Sequence, residues 1–177
     1  NKAQEINPKN SETYILEGNI YLKTSKLQKA KKALEKALRI ESNNYKAIFQ
    51  LGNIFLMEKN YSKAIKLFDQ SVKIKPDFWQ AINNKGLAYF EKNNINSSIS
   101  LFKKAISIEE NAEPLLGRAS CLRMKDFELA LQLTKKALKK DPKYVSYDYR
   151  KEQLWGDKLQ ASTAVSYTHL RAHETNS

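Results

Sequence analysis

A repeat of period 34 limits what this chain can fold into more than any other feature. Gly18, Gly52 and Gly86 are 34 residues apart, as are Ala30 and Ala64, and Phe68 and Phe102. The stretch 45–76, YKAIFQLGNIFLMEKNYSKAIKLFDQSVKIKP, shows the unit most clearly. Two amphipathic segments of about fifteen residues each are joined at Lys59-Asn60 and ended by Pro76. Two helix-period patterns around a short turn predict a helical hairpin. Its return at a fixed interval predicts a stack in which each hairpin buries its apolar face on the next.

In chain order the units fall at 11–44, 45–78, 79–110 and 111–144. Their helices are expected near 12–24 and 27–40, 45–58 and 61–74, 79–92 and 95–108, and 113–124 and 127–140. Residues 1–10 read as the end of a preceding, truncated repeat, because Ala3 and Pro8 are spaced like Ser71 and Pro76. Ser11 is the expected N-cap of the first helix. Ser98 stands where the other units carry Ala30 and Ala64, a small-for-small exchange. The connection into the fourth unit is two residues short and Gly117 falls one place off the glycine slot, so a distortion is expected over 110–114.

Residues 145–163 predict one capping helix, near 146–162, with Tyr149, Leu154, Trp155 and Leu159 as apolar positions. Trp155 is expected to pack on 140–144. The tail 165–175, VSYTHLRAHET, resembles the conceptual translation of a sequencing-library adapter in all eleven residues, so 164–177 is set aside as non-native. His169 and His173 lie inside it, and their i, i+4 spacing is not taken as a metal pair.

The net charge of +12 raises nucleic acid as a partner. The residue types argue against it. Lysine far outnumbers arginine, present only at 39, 118, 123, 150 and 171, and planar phosphate and base recognition favours arginine. The aromatic residues sit at repeat-spaced core positions, not interleaved with basic residues as a stacking platform requires. A single cysteine, Cys121, excludes an internal disulfide and sits on an apolar helical pattern. No apolar run is long enough for a membrane span, and no signal peptide is visible. A cytoplasmic location is the expectation.

The chain resembles the tetratricopeptide-repeat (TPR) family. Leu51-Gly52, Phe55, Tyr61, Ala64, Phe68 and Pro76 fall on the signature slots in the second unit, and Gly18, Tyr21, Ala30 and Ala37 in the first. Gly86, Tyr89, Phe102 and Ala105 do so in the third, and Ala130, Ala137 and Pro142 in the fourth. The resemblance implies an all-α, right-handed superhelical solenoid of antiparallel helix pairs with a concave groove lined by first helices. Groove positions carried over from the family are Glu12, Ile15, Asn19 and Leu22 in the first unit, and Lys46, Phe49, Asn53, Leu56 and Met57 in the second. The third unit supplies Gln80, Asn83, Leu87 and Phe90, with Glu91 beside them. Clamping of a terminal carboxylate is disfavoured, because Ile15, Gln80 and Asn84 occupy places where that activity uses cationic donors.

Outside the tail there is no histidine, no activated nucleophile and no phosphate-cradling glycine loop. The expectation is therefore a non-enzymatic scaffold for a protein or peptide, without cofactor or metal. The alternative is a regulatory or substrate-presenting module of a larger enzyme, such as a transferase. Asn19 and Asn53 occupy one slot in successive units, and amides can bind an extended peptide backbone without reading its sequence.

Overall fold

The computed structural model describes residues 10–175, with the side chains of 165, 166 and 169–175 left aside. The reading of 1–10 as a repeat remnant thus falls outside the described residues, apart from Asn10. Ten α-helices follow one another: α1 (Ser11–Lys23), α2 (Leu27–Ile40), α3 (Tyr45–Met57), α4 (Tyr61–Ile74), α5 (Trp79–Glu91), α6 (Ile95–Ile108), α7 (Ala112–Leu122), α8 (Phe127–Lys140), α9 (Tyr147–Glu152) and α10 (Asp157–Thr175). A 3-10 turn, Pro142–Val145, joins α8 to α9. Among the described residues there is no strand. The fold is all-α and built of successive antiparallel helix pairs, and the chain divides into two compact units, Asn1–Ala81 and Ile82–Ser177.

In the N-terminal unit α1 pairs with α2, and α3 with α4. The second helices show why. Ala30, Leu34 and Ala37 recur at helical spacing and are fully buried, while the lysines and arginine between them stay mostly in water. Ile15, Ala30, Leu34, Ala47, Leu51 and Ile54 form one apolar cluster that joins the two hairpins. Beside it Phe49 packs on Phe68 and Phe78, with ring centroids 5.8 and 4.9 Å apart, and Tyr45 packs edge-on against Phe78 at 5.1 Å.

Small residues allow the pairs to close. A Cβ added to Gly52 would lie 2.6 Å from the Phe68 ring, and one on Gly117 would lie 2.5 Å from the Phe102 ring. The off-register glycine of the fourth hairpin therefore still faces an aromatic ring, that of the preceding second helix. Serine replaces alanine in this core without leaving an orphan hydroxyl: Ser98 donates to the Gly86 carbonyl at 2.7 Å, and Ser71 to the Tyr45 carbonyl at 3.0 Å.

The turn inside each of the first three hairpins is the same object. Ser25, Lys59 and Asn93, spaced 34 apart, hold φ values of 56°, 57° and 61°. Their N–H groups bond Leu22, Leu56 and Phe90, and those of the next residues bond Tyr21, Phe55 and Tyr89. This is the Schellman pattern, which closes a helix C-terminus with a left-handed residue. Asparagine side chains then start helices, Asn44 capping α3, Asn60 α4 and Asn94 α6.

The first helix departs from expectation. Asn10, not Ser11, is its N-cap and accepts from Glu12 N–H at 2.9 Å. Ser11 is the first helical residue, and its hydroxyl donates to Glu41 at 2.6 Å.

In the C-terminal unit α7 packs on α6 and α8, and α10 packs on α7 and α8. Three residues, 109–111, lead into α7, against four before α3 and α5. The single helix expected over 146–162 is two. Leu154 takes a left-handed φ of 66°, which no continuing helix accommodates, and α10 starts afresh at Asp157. The buried Arg150 ties the pieces together, bonding Gln160 and the carbonyls of Tyr144 and Val145 at 2.7 Å each.

Lys59→Gly is expected to stabilise the protein by about 0.5–1 kcal/mol, because the left-handed turn no longer strains a Cβ. Gly52→Ala is expected to cost about 1–3 kcal/mol by forcing the Phe68 ring aside. Urea unfolding of the two variants checks both signs.

Candidate functional site

Within the N-terminal unit the first helices α1 and α3 touch. Glu12 and Lys46, the same slot in successive hairpins, form an exposed ion pair at 3.6 Å between them. Further along, Ile15 and Leu56 are buried in the core, Leu22 and Phe49 are half-buried, and Met57 is exposed. Phe49 is committed mainly to the aromatic cluster already described. Asn53 is buried and donates to Gln50 Oε1 at 3.0 Å. Asn19, half-buried, has a carbonyl oxygen shut off from solvent with no hydrogen-bond partner. Gln80 is half-buried at the start of α5. This face thus combines one exposed ion pair, partly exposed apolar side chains and one unsatisfied amide acceptor.

The slots of the third hairpin have a different environment. Asn83, Leu87 and Phe90 are all buried in the C-terminal unit. Asn83 donates to Asn84 Oδ1 at 3.1 Å and hydrogen-bonds the Glu113 carboxyl on α7. Glu113 also accepts from the Trp155 indole at 3.4 Å. Trp155 lies against Tyr144, as expected, with ring centroids 5.9 Å apart. Burial dominates the Glu113 carboxyl and raises its pKa to about 7, with the Asn83 and Trp155 hydrogen bonds opposing the shift. Part of the residue's surface is exposed, but its oxygens point inward at these two buried partners.

Glu91, the last slot of that hairpin, caps the chain's own α10. Its carboxylate accepts from Leu159 N–H at 3.2 Å, while its backbone carbonyl accepts from Lys158 Nζ at 2.8 Å. Ser162 donates to the Ser120 carbonyl at 3.1 Å, and the Ser120 and Thr163 hydroxyls bond at 2.8 Å. In this unit the chain therefore covers first-helix residues with its own C-terminal segment. Spacing alone signalled nothing of this, because the partners of Glu91 and Glu113 come from a segment without repeat character.

Cys121 is buried beside Ser98, and burial pushes its thiol up to about 11. It is a packing residue with little thiolate at neutral pH. His169 and His173 lie on α10 beyond the described side chains. Among the described residues no group of three metal-ligating side chains is present, and no helix is long and apolar enough to cross a membrane.

The Glu113 environment implies a pH dependence. The folded state holds this proton more tightly than the unfolded chain does, whose carboxyl titrates near 4.5. Its contribution is fully present below that pH and is lost as pH rises to about 7. Glu113→Gln is expected to remove this slope and to gain on the order of 3 kcal/mol over the parent above pH 8. Urea unfolding at pH 5 and pH 8 measures it.

Two family profiles, both described as tetratricopeptide repeat, match residues 21–85 and 80–111. No curated protein sequence matches significantly. Among solved structures the chain is similar to MamA, with 23% identity and a TM-score of 0.67 over 82% of this chain and 86% of that one. It is similar to YrrB, described as a TPR protein with an unusual peptide-binding site, with 18% identity and a TM-score of 0.67 over 99% and 97%. A variant of the Thermobaculum terrenum O-GlcNAc transferase shares the fold at 15% identity and a TM-score of 0.68, over 73% of this chain but only 26% of that one. With helix pairs on a 34-residue period and both profile matches in agreement, the chain belongs to the tetratricopeptide-repeat family.

Proposed function

We propose that this protein is an interaction scaffold that holds an extended peptide segment on the α1–α3 face of its N-terminal unit. The observation that carries the reading is the Asn19 carbonyl oxygen, buried without a donor at the slot that Asn53 fills one repeat later. A buried acceptor left unpaired costs about 1–3 kcal/mol, and a backbone N–H of a bound strand is the group that relieves it. Leu22 and Met57 supply apolar contact on either side of that slot. The exposed Glu12–Lys46 pair contributes little to stability, which leaves both charges available to a partner. The description of YrrB as peptide-binding supports the same use of the fold.

Asn83 and Leu87 enter this proposal only as core residues, since neither has surface left to offer a ligand. Catalysis is not assigned. The one cysteine is buried with its thiol pushed up to about 11, and the likeness to the transferase is one of fold alone.

Asn19→Ala is expected to lower peptide affinity about tenfold while leaving the unfolding midpoint within error of the parent. Fluorescence anisotropy against a library of extended decapeptides, repeated with the variant, measures it. Binding that the substitution leaves untouched, or a library without a single binder, overturns the proposal.

A further inference from the structure

In the C-terminal unit the C-terminal segment lies over α5 and α7, and polar joints hold much of it there. Trp155 donates to the Glu113 carboxyl on α7 at 3.4 Å, and Leu159 N–H to the Glu91 carboxylate at the end of α5 at 3.2 Å. Lys158 donates to the Glu91 backbone carbonyl at 2.8 Å and to Asn93 Oδ1 at 3.0 Å. Ser162 donates to the Ser120 carbonyl, and the Ser120 and Thr163 hydroxyls bond each other. Water replaces bonds of this kind at a small net cost. The segment is also tied to itself. Arg150 bonds Gln160 and the carbonyls of Tyr144 and Val145, and Gln160 donates to the Tyr147 carbonyl at 3.2 Å. These bonds join α9 to α10 without using α5 or α7.

Glu113 sits where the segment meets the stack, and its surroundings suit a neutral acid. The Asn83 amide bonds this carboxyl, while the Asn83 oxygen is shut off from solvent with no hydrogen-bond partner. A carboxylate offers only acceptors, whereas a protonated carboxyl beside the same amide has the donor that this oxygen lacks. The titratable groups facing Glu113 bring no positive charge. They are Tyr144 from the 3-10 turn and Tyr149 from α9, whose hydroxyl donates to Asp141 at the end of α8 at 3.1 Å. On α8 itself, Lys136 and Lys140 are paired with Glu110. Ionisation therefore leaves a buried charge held by one amide and one indole. Glu91, the other carboxyl under the segment, faces Lys158 and Asp157, and burial raises its pKa as well.

We propose that residues 144–163 form a pH-gated cover, closed over α5 and α7 while Glu113 is a neutral acid and lifting away once that carboxyl ionises. The closed state binds the Glu113 proton more tightly than an open state in which water reaches the carboxyl. Closure is thus strongest at acid pH and weakens as pH rises through about 7. The shift at Glu91 acts in the same direction. Opening exposes Glu91, Glu113 and Ser120, first-helix groups that the closed cover keeps from any partner. The cover shares no residue with the α1–α3 peptide face and does not depend on it.

Hydrogen exchange of the full chain, read by mass spectrometry at pH 5 and pH 8.5 without denaturant, is the test. After correction for intrinsic rates, protection over 147–163 is expected to fall on the order of a hundredfold at the higher pH, while protection over 61–74 and 95–108 holds. Glu113→Gln keeps a donor and an acceptor at every pH, so its protection over 147–163 is expected to stay near the pH 5 value. Gly156→Ala is the second variant. A Cβ there meets the Glu91 carboxylate and pushes it off Leu159 N–H, so α10 is expected to lose protection even at pH 5. The proposal is overturned if protection over 147–163 is equal at both pH values, or if Glu113→Gln loses it as the parent does. It is overturned equally if 95–108 loses protection in step with the cover, or if Gly156→Ala leaves α10 protected as in the parent.

Discussion

The contact on which the rest of this structure depends is an aromatic ring, or a leucine, pressed against a glycine on the facing helix. Leu34 against Gly18, Phe68 against Gly52 and Phe102 against Gly86 leave no room for a methyl group. Such closeness lets the backbones of a hairpin approach, so that Ala30, Ala64 and Ser98 can seal the crossing with side chains that are fully buried. The hairpin alone buries only one face. In each compact unit the remaining apolar stripe is covered by the neighbouring hairpin, and in the C-terminal unit also by α10.

Polar residues set the geometry that the apolar contacts then fill. Left-handed residues at Ser25, Lys59 and Asn93 reverse the chain with one repeated pattern of hydrogen bonds. The abundant asparagine has a physical role here: Asn10, Asn44, Asn60 and Asn94 each cap a helix. The fourth hairpin lacks the left-handed turn and uses Asp126 as its cap. It is also the hairpin onto which the C-terminal segment packs.

Buried polar groups divide the two candidate sites. On the α1–α3 face one amide oxygen has lost water and gained nothing, which leaves it receptive to a donor. In the C-terminal unit the Asn83 amide nitrogen is engaged by Asn84 and Glu113 while its oxygen is also buried and unpaired, and Glu91 is held by the first turn of α10. Repeats that look interchangeable in sequence therefore differ in whether a ligand can reach them, because in one unit the chain supplies its own covering segment.

The sequence by itself determined the repeat, the helix pairs and the identity of the core residues. Each of these rests on local periodicity: apolar side chains at helical spacing, small residues where helices cross, and turn residues every 34 positions. Even the slot shared by Asn19 and Asn53 was legible for that reason. Tertiary structure alone decided which slots stay open, that the C-terminal segment is two helices broken at Leu154, and that Glu113 meets Trp155. It also brought Lys92, Arg123, Lys125 and Lys158 around one cavity. Lys92, Arg123 and Lys158 are 31 and 35 residues apart, so only the packing of the elements that carry them brings them together.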